Sequence, residues 1–205
     1  DALNTQNEAA QRNTLPRIYL VRHGQTEWSI SGRHTGRTDI DLTADGEAAA
    51  RGLASRLAGP RFAAVWPSPS LRARRTCELA GYSARAEINP DLHEWDYGEY
   101  EGITTKAIHS GRPGWQLFRD GAPGGEDAAE VGERADRIIG ELRALEGSVL
   151  IFSSSHFLRV LGARWLGLEA RRGESLVLDT ASISVLGYEH DLSEPVICSW
   201  NQTGG

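Results

Sequence analysis

Three short segments bring arginine, histidine and hydroxyl residues directly behind runs that read as buried strands. Arg22-His23-Gly24 follows Ile18-Tyr19-Leu20-Val21, and Ser68-Pro69-Ser70-Leu71-Arg72-Ala73 follows the run from Phe62 to Trp66. Ser153-Ser154-Ser155-His156 follows Val149-Leu150-Ile151-Phe152. An arginine offers a planar fork of donors that holds carboxylate or phosphate oxygens in pairs. A neutral imidazole can attack phosphorus and split one hard displacement into two easier ones. A carboxylic acid beside them would protonate the departing oxygen, and Asp91, Glu94, Asp96, Glu99 and Glu101 all lie in one stretch. Glycine at 24 lets a ligand approach the backbone closely.

These segments need a scaffold that gathers strand ends. Thr43 is placed to cap a helix running to about Leu57, where Gly59-Pro60 stops it. A second helix is predicted from about Ser70 to Ala80. Residues 127–146 carry Val131, Ala135, Ile138, Ile139, Leu142 and Leu145 at helical spacing. A further helix is predicted at about 156–167, and late strands at Ile183–Leu186 and Val196–Ile197. Strand and helix in alternation predict a three-layer α/β/α sandwich with a mostly parallel central sheet. Ligands of such sheets bind beyond the carboxyl ends of the strands, where the three segments fall.

Composition narrows the function classes. The 205 residues support a single domain at 15–205, with residues 1–14 as a flexible leader. A net charge of −6 argues against a dedicated nucleic-acid binder, and the chain has no apolar run long enough for a membrane helix. Of the 22 basic residues all but Lys106 are arginine, a bias that codon usage would also produce. The two cysteines, Cys77 and Cys198, sit among apolar neighbours and read as buried hydrophobes of a cytoplasmic protein. The chain begins at Asp1 and contains no Met, as expected of a trimmed product. No metal-ligand spacing appears, so neither metal nor other cofactor is expected.

Together the segments resemble the histidine phosphatase superfamily, also called phosphoglycerate mutase-like, over nearly the whole chain from Arg17 to about Asn201. Leu20-Val21-Arg22-His23-Gly24-Gln25-Thr26-Glu27-Trp28 resembles the family signature. Gly32-Arg33-His34-Thr35-Gly36, Asp41-Leu42-Thr43 and Gly46 match the loop behind it. Ser68 to Thr76 resembles the second arginine segment, and Leu92 to Gly102 the segment bearing the acid. Gly124-Gly125-Glu126 with Glu130 and Arg134 matches the start of the long helix, and Trp95 to Gly102 leans toward the small phosphatase branch.

The resemblance implies hydrolysis of phosphate monoesters of small metabolites through phosphohistidine. His23 would be the nucleophile, Arg22 and Arg72 the phosphoryl grips, and Glu94 the acid and then the base. Ser29, Thr35, the Gly36 amide and Gln25 would contact substrate oxygens, and Trp28, Trp95, Tyr97 and Trp115 would wall the cleft. A lobe at about 90–125 would cover it. Arg74 and Arg75 are expected at the surface, His93, His109 and His190 in structural or exposed places, and His34 either in local loop structure or in contact with the ligand. The short stretch between Gly102 and Gly124 favours a phosphatase over a mutase.

One departure stands out. The family places a second histidine five residues before an arginine, and counting back from Arg159 gives Ser154. A serine hydroxyl donates one hydrogen bond and carries no charge. Three outcomes follow: Ser154 and the amides opening the 156–167 helix cradle phosphate in a slower phosphatase; His156 swings into the vacant place; or the chain is an impaired phosphate-binding or regulatory protein.

Overall fold

The computed structural model describes residues 14–204. All but the last residue of the predicted leader therefore lies outside the described residues. Five strands form one sheet: β1 (Ile18–Arg22), β2 (Phe62–Pro67), β3 (Ser148–Ser153), β4 (Ile183–Tyr188) and β5 (Pro195–Gln202), in the order β2-β3-β1-β4-β5. Helices α1 (Glu27–Ser31), α2 (Ala44–Arg56) and α3 (Leu71–Leu79) precede the lobe region. Helices α4 (Thr105–Gly111), α5 (Leu117–Asp120), α6 (Ala128–Ala144) and α7 (Ser155–Trp165) follow.

The alternation of strand side chains sorts the core into two layers. Ile18 and Leu20 of β1 join Val149 and Ile151 of β3 in a cluster with the apolar stripe of α6 and with Phe157, Leu158 and Leu161 of α7. Val21, Leu150 and Phe152 face the other way, onto Leu53 of α2 and Ala73 and Cys77 of α3. Central β3 has both faces covered, and Val149 through Phe152 are inaccessible to solvent, as expected of a parallel strand sandwiched between helices. Trp95, Ile108, Trp115 and Phe118 from the 90–125 region belong to the first cluster, so that region shares the main core.

β1, β2 and β3 are parallel, whereas β4 runs antiparallel to both β1 and β5. The chain geometry explains this. Helix α7 carries the chain away from the carboxyl ends, but residues 166–182, including a 3-10 segment at Ala170–Ser175, bring it back before β4 begins. β4 therefore descends beside β1, and the stretch just before it arrives beside Arg22 and His23.

Local signals are visible at the helix starts. The Thr43 hydroxyl accepts from the Gly46 amide, and Asp127 and Glu130 form a reciprocal capping box at α6. Helix α1 was not expected from the sequence, since its five residues carry no apolar period; a Thr26–Ser29 capping box holds it. Cys198 is exposed rather than buried, because edge strand β5 has one side open.

Gly24 and Gly46 pack backbone against backbone in the loop behind β1, where a Cβ on Gly24 would stand 2.6 Å from the Gly46 carbonyl oxygen. A Cβ on Gly46 would stand 2.2 Å from the Gln25 carbonyl oxygen and 2.8 Å from its amide nitrogen. Neither is a movable side chain. Gly46→Ala is expected to cost about 2–3 kcal/mol, a fall in Tm of roughly 5–10 °C by thermal denaturation. Gly52→Ala on the same helix meets open space, and its Tm should hold or rise slightly.

Candidate active site

β1 ends on Arg22, and the His23 amide donates to the carbonyl of Ser153, the last residue of β3, at 3.0 Å. This bond puts two strand ends side by side. His23 is 4% exposed, and its Nδ1 lies 2.8 Å from the Gly24 carbonyl oxygen. A carbonyl only accepts, so Nδ1 carries the proton and Nε2 keeps the lone pair. Burial, then the charges of Arg72 and Arg22, hold the imidazole well below the usual histidine range, so it is neutral. The Gly24 amide donates to the Thr76 hydroxyl, which donates to the Arg72 carbonyl. The loop bearing His23 is thus bonded to helix α3.

Arg72 is fully buried, whereas Arg74 is exposed and Arg75 pairs with Glu47 and Glu78. Its two terminal nitrogens donate to the carbonyls of Thr35, Gly36 and Thr38 at 2.8, 3.0 and 3.2 Å. Arg22 donates through Nη1 to the Leu178 carbonyl. Burial lowers the pKa of both guanidinium groups, and Glu94 is the largest influence opposing it. The Nε atoms of Arg22 and Arg72 are buried without a protein partner, two of four such side-chain atoms among the described residues. Buried donors left unpaired are costly, and an oxyanion would satisfy them.

Glu94 is 6% exposed and sits on the first turn of α7. Its Oε1 accepts from the amides of Trp95 and Phe157, each at 2.8 Å, and its Oε2 from that of His156 at 3.1 Å. The helix N-terminus expected to cradle phosphate is therefore committed at His156 and Phe157 to a carboxylate. Among the five carboxylates of that stretch, only Glu94 is buried.

Ser154 is 1% exposed, with its hydroxyl 3.4 Å from Arg72 Nη2. It occupies the N-cap position of α7 without capping it. His156 does not fill that place: its Nδ1 is bonded to the Tyr97 hydroxyl, and its ring packs against the rings of Trp95, Tyr97 and Phe118. Burial first, then the nearby Arg159, keeps His156 neutral.

A cleft of about 260 Å³ opens over His23, Arg22 and Glu94, with Arg72 and Ser154 buried behind its lining. Arg22, His23, Trp28, Ser29, Thr35, Glu94, Tyr97 and His156 line it. The Ser29 hydroxyl also serves the α1 capping box, and the Thr35 hydroxyl donates to the Arg33 carbonyl. Three sequence expectations require correction. Gln25 does not line the cleft; its Oε1 accepts from the Thr43 hydroxyl. The Gly36 amide is unavailable to substrate because the Glu101 carboxylate takes it. Trp95 lies behind the wall, fully buried, with its indole N–H on the Glu126 carbonyl. Sequence reasoning missed Glu101 and the Leu178 carbonyl, since neither a backbone acceptor nor one carboxylate among five carries a distinguishing signal.

Comparisons with known proteins identify the family and the fold. The family model of the histidine phosphatase superfamily (branch 1) matches residues 18–203. An acid phosphatase of Mycobacterium tuberculosis is 40% identical over 185 residues, 87% of this chain and 89% of its own. Sedoheptulose 1,7-bisphosphatase of Saccharomyces cerevisiae is 34% identical over 190 residues, covering 77% of this chain and 70% of its own. A solved structure of an open reading frame product from Mycobacterium tuberculosis, 36% identical, aligns with a TM-score of 0.85 over 93% of this chain and 99% of that one. With the match spanning β1 to the end of β5, the chain belongs to branch 1 of the histidine phosphatase superfamily.

Proposed function

We propose that the chain hydrolyses phosphate monoesters of small metabolites through a phosphohistidine on Nε2 of His23. The observation that carries this reading is a buried imidazole, held neutral by burial and by the nearby charges of Arg72 and Arg22, each of which has a buried Nε without a protein partner. In the first step Nε2 attacks phosphorus and the ester oxygen leaves with a proton from Glu94. In the second, Glu94 accepts a proton from water as its oxygen attacks the phosphohistidine and inorganic phosphate departs. Arg22 and Arg72 neutralise the charge spread over the equatorial oxygens. Side chains supply every role in this scheme, which makes it metal-independent, and two cysteines, too few for a disulfide framework, support a cytoplasmic location. A phosphate-release screen over a metabolite panel, with mass detection of a phosphate adduct on His23, tests it. Absence of both across the panel would overturn it.

The lining beyond the phosphoryl site bears on substrate shape. A second recess of about 380 Å³ shares His34, Thr105 and His156 with the cleft and is also lined by His109, Gln116 and Arg159. Arg159 is oriented by the carbonyls of Gly173 and Glu174 and lies 4.8 Å over the Phe118 ring. Being three residues beyond His156, it stands about 4.5 Å further along the helix. A sugar phosphate with a second anionic or hydroxylated end fits this arrangement, in keeping with the bisphosphatase among the relatives. Arg159→Met is expected to raise KM for a sugar bisphosphate about tenfold. Its KM for p-nitrophenyl phosphate should stay within about twofold, since that ester ends before the recess.

A further inference from the structure

We infer that Glu101 is a positioning residue for Arg72, acting through the loop of residues 34–39. The inference rests on the reading of Arg72 as a phosphoryl grip and goes beyond it, since Glu101 has no place in the chemistry above.

The Glu101 carboxylate clasps the outer side of the loop: Oε1 and Oε2 accept from the Gly36 amide at 2.9 and 3.0 Å, and Oε1 also accepts from the Thr38 amide at 3.1 Å. The carbonyls of Thr35, Gly36 and Thr38 in the same loop hold Arg72. The Gly36 amide shares its peptide plane with the Thr35 carbonyl, so a carboxylate that fixes this amide also fixes that oxygen, and its bond to the Thr38 amide holds the residue whose own carbonyl Arg72 uses. Both ends of the loop are anchored. The His34 amide donates to the Ile103 carbonyl and the Gly102 amide to the His34 carbonyl, while Asp39 accepts from the Leu71 amide at the start of α3. Between those anchors the Glu101 carboxylate holds the Gly36 and Thr38 amides, and the other long-range side-chain contact is the more exposed Arg37–Asp96 ion pair.

Gly36 fits the same account. A Cβ there would stand 2.6 Å from Glu101 Oε2 and 2.9 Å from the Trp95 carbonyl oxygen. Glycine at 36 therefore permits the close seat of the carboxylate on the loop. The guanidinium needs such fixing: Arg72 lies on α3, far along the chain from every acceptor it uses, and a long side chain has many rotamers to lose. A grip fixed before the ligand arrives binds more tightly than one fixed by it.

The test measures affinity for inorganic phosphate, which needs no turnover, in Glu101→Ala, Glu101→Gln, Arg72→Ala and the double variants. Glu101→Ala is expected to weaken phosphate binding about tenfold. Glu101→Gln, which keeps one acceptor oxygen, should lose about threefold and serves alone should the alanine variant not fold. In the Arg72→Ala background either change at 101 should add less than twofold, because two residues acting through one contact are non-additive. Losses that multiply instead, or unchanged affinity in Glu101→Ala and Glu101→Gln, would overturn the inference. Unchanged affinity in Arg72→Ala would instead overturn the reading of Arg72 itself. Thermal denaturation of the same set separates stability from binding, since a purely structural role would lower Tm and leave phosphate affinity alone.

Discussion

His23→Ala is expected to reduce phosphate release by at least about 10³-fold and to remove the phosphate adduct altogether. The nucleophile is lost, while Arg22, Arg72 and Glu94 keep their own backbone partners and still hold the substrate. KM should therefore change far less than kcat, and a KM that rises as steeply as kcat falls would contradict the assignment. The pH dependence follows from the same burial. Because His23 is held well below its ordinary value of 6.5, Nε2 stays unprotonated in mild acid and wild-type kcat/KM should persist below pH 6.5. Stability has a definite sign. Below pH 6.5 the unfolded chain takes up a proton at His23 that the folded chain refuses, so stability falls with pH from 6.5 toward the lower folded value. His23→Ala removes that loss, and its Tm should fall less than that of the wild type between pH 7 and pH 5. Equal falls would show that His23 is not buried in its neutral form.

Ser154→His should raise kcat by 10²–10³-fold, about 2–4 kcal/mol, if an imidazolium beside Arg72 donates to the transferring phosphoryl group. The position suits the role, because the Ser154 hydroxyl already meets Arg72 Nη2 at 3.4 Å. It is also 1% exposed, so a larger ring should cost about 1–3 kcal/mol by overpacking, read as a lower Tm. A gain in rate together with a loss of stability is the expected signature. If the wild type matches His23→Ala and only Ser154→His turns over, the native chain binds phosphate ligands without hydrolysing them. If Ser154→His gains nothing, Ser154 replaces no charged partner in this site.

Much of the scaffold was legible along the chain. The periods at Val149–Phe152 and at Val131, Ala135, Ile138, Ile139 and Leu142 announced β3 and α6, and Thr43 announced the start of α2. These are local signals, set by which side chains must face the core and which donors need a cap. The direction of β4 was not legible, because it depends on how residues 166–182 return over the sheet. Burial of Cys198 was misjudged for a related reason: apolar neighbours in sequence do not show that β5 is an edge.

The sequence by itself determined the reactive groups and their order: Arg22-His23 after one strand, Arg72 after another, Ser154 where a second histidine was expected. Tertiary structure decided their states and their holders. It made His23 neutral by burying it beside two arginines, gave the α7 amides to Glu94, gave the Gly36 amide to Glu101, and left His156 tied to Tyr97. Residue type and spacing are written in the chain. Burial and hydrogen-bond partners 62 to 82 residues apart, such as those of Glu94 and Arg72, exist only once the strand ends converge.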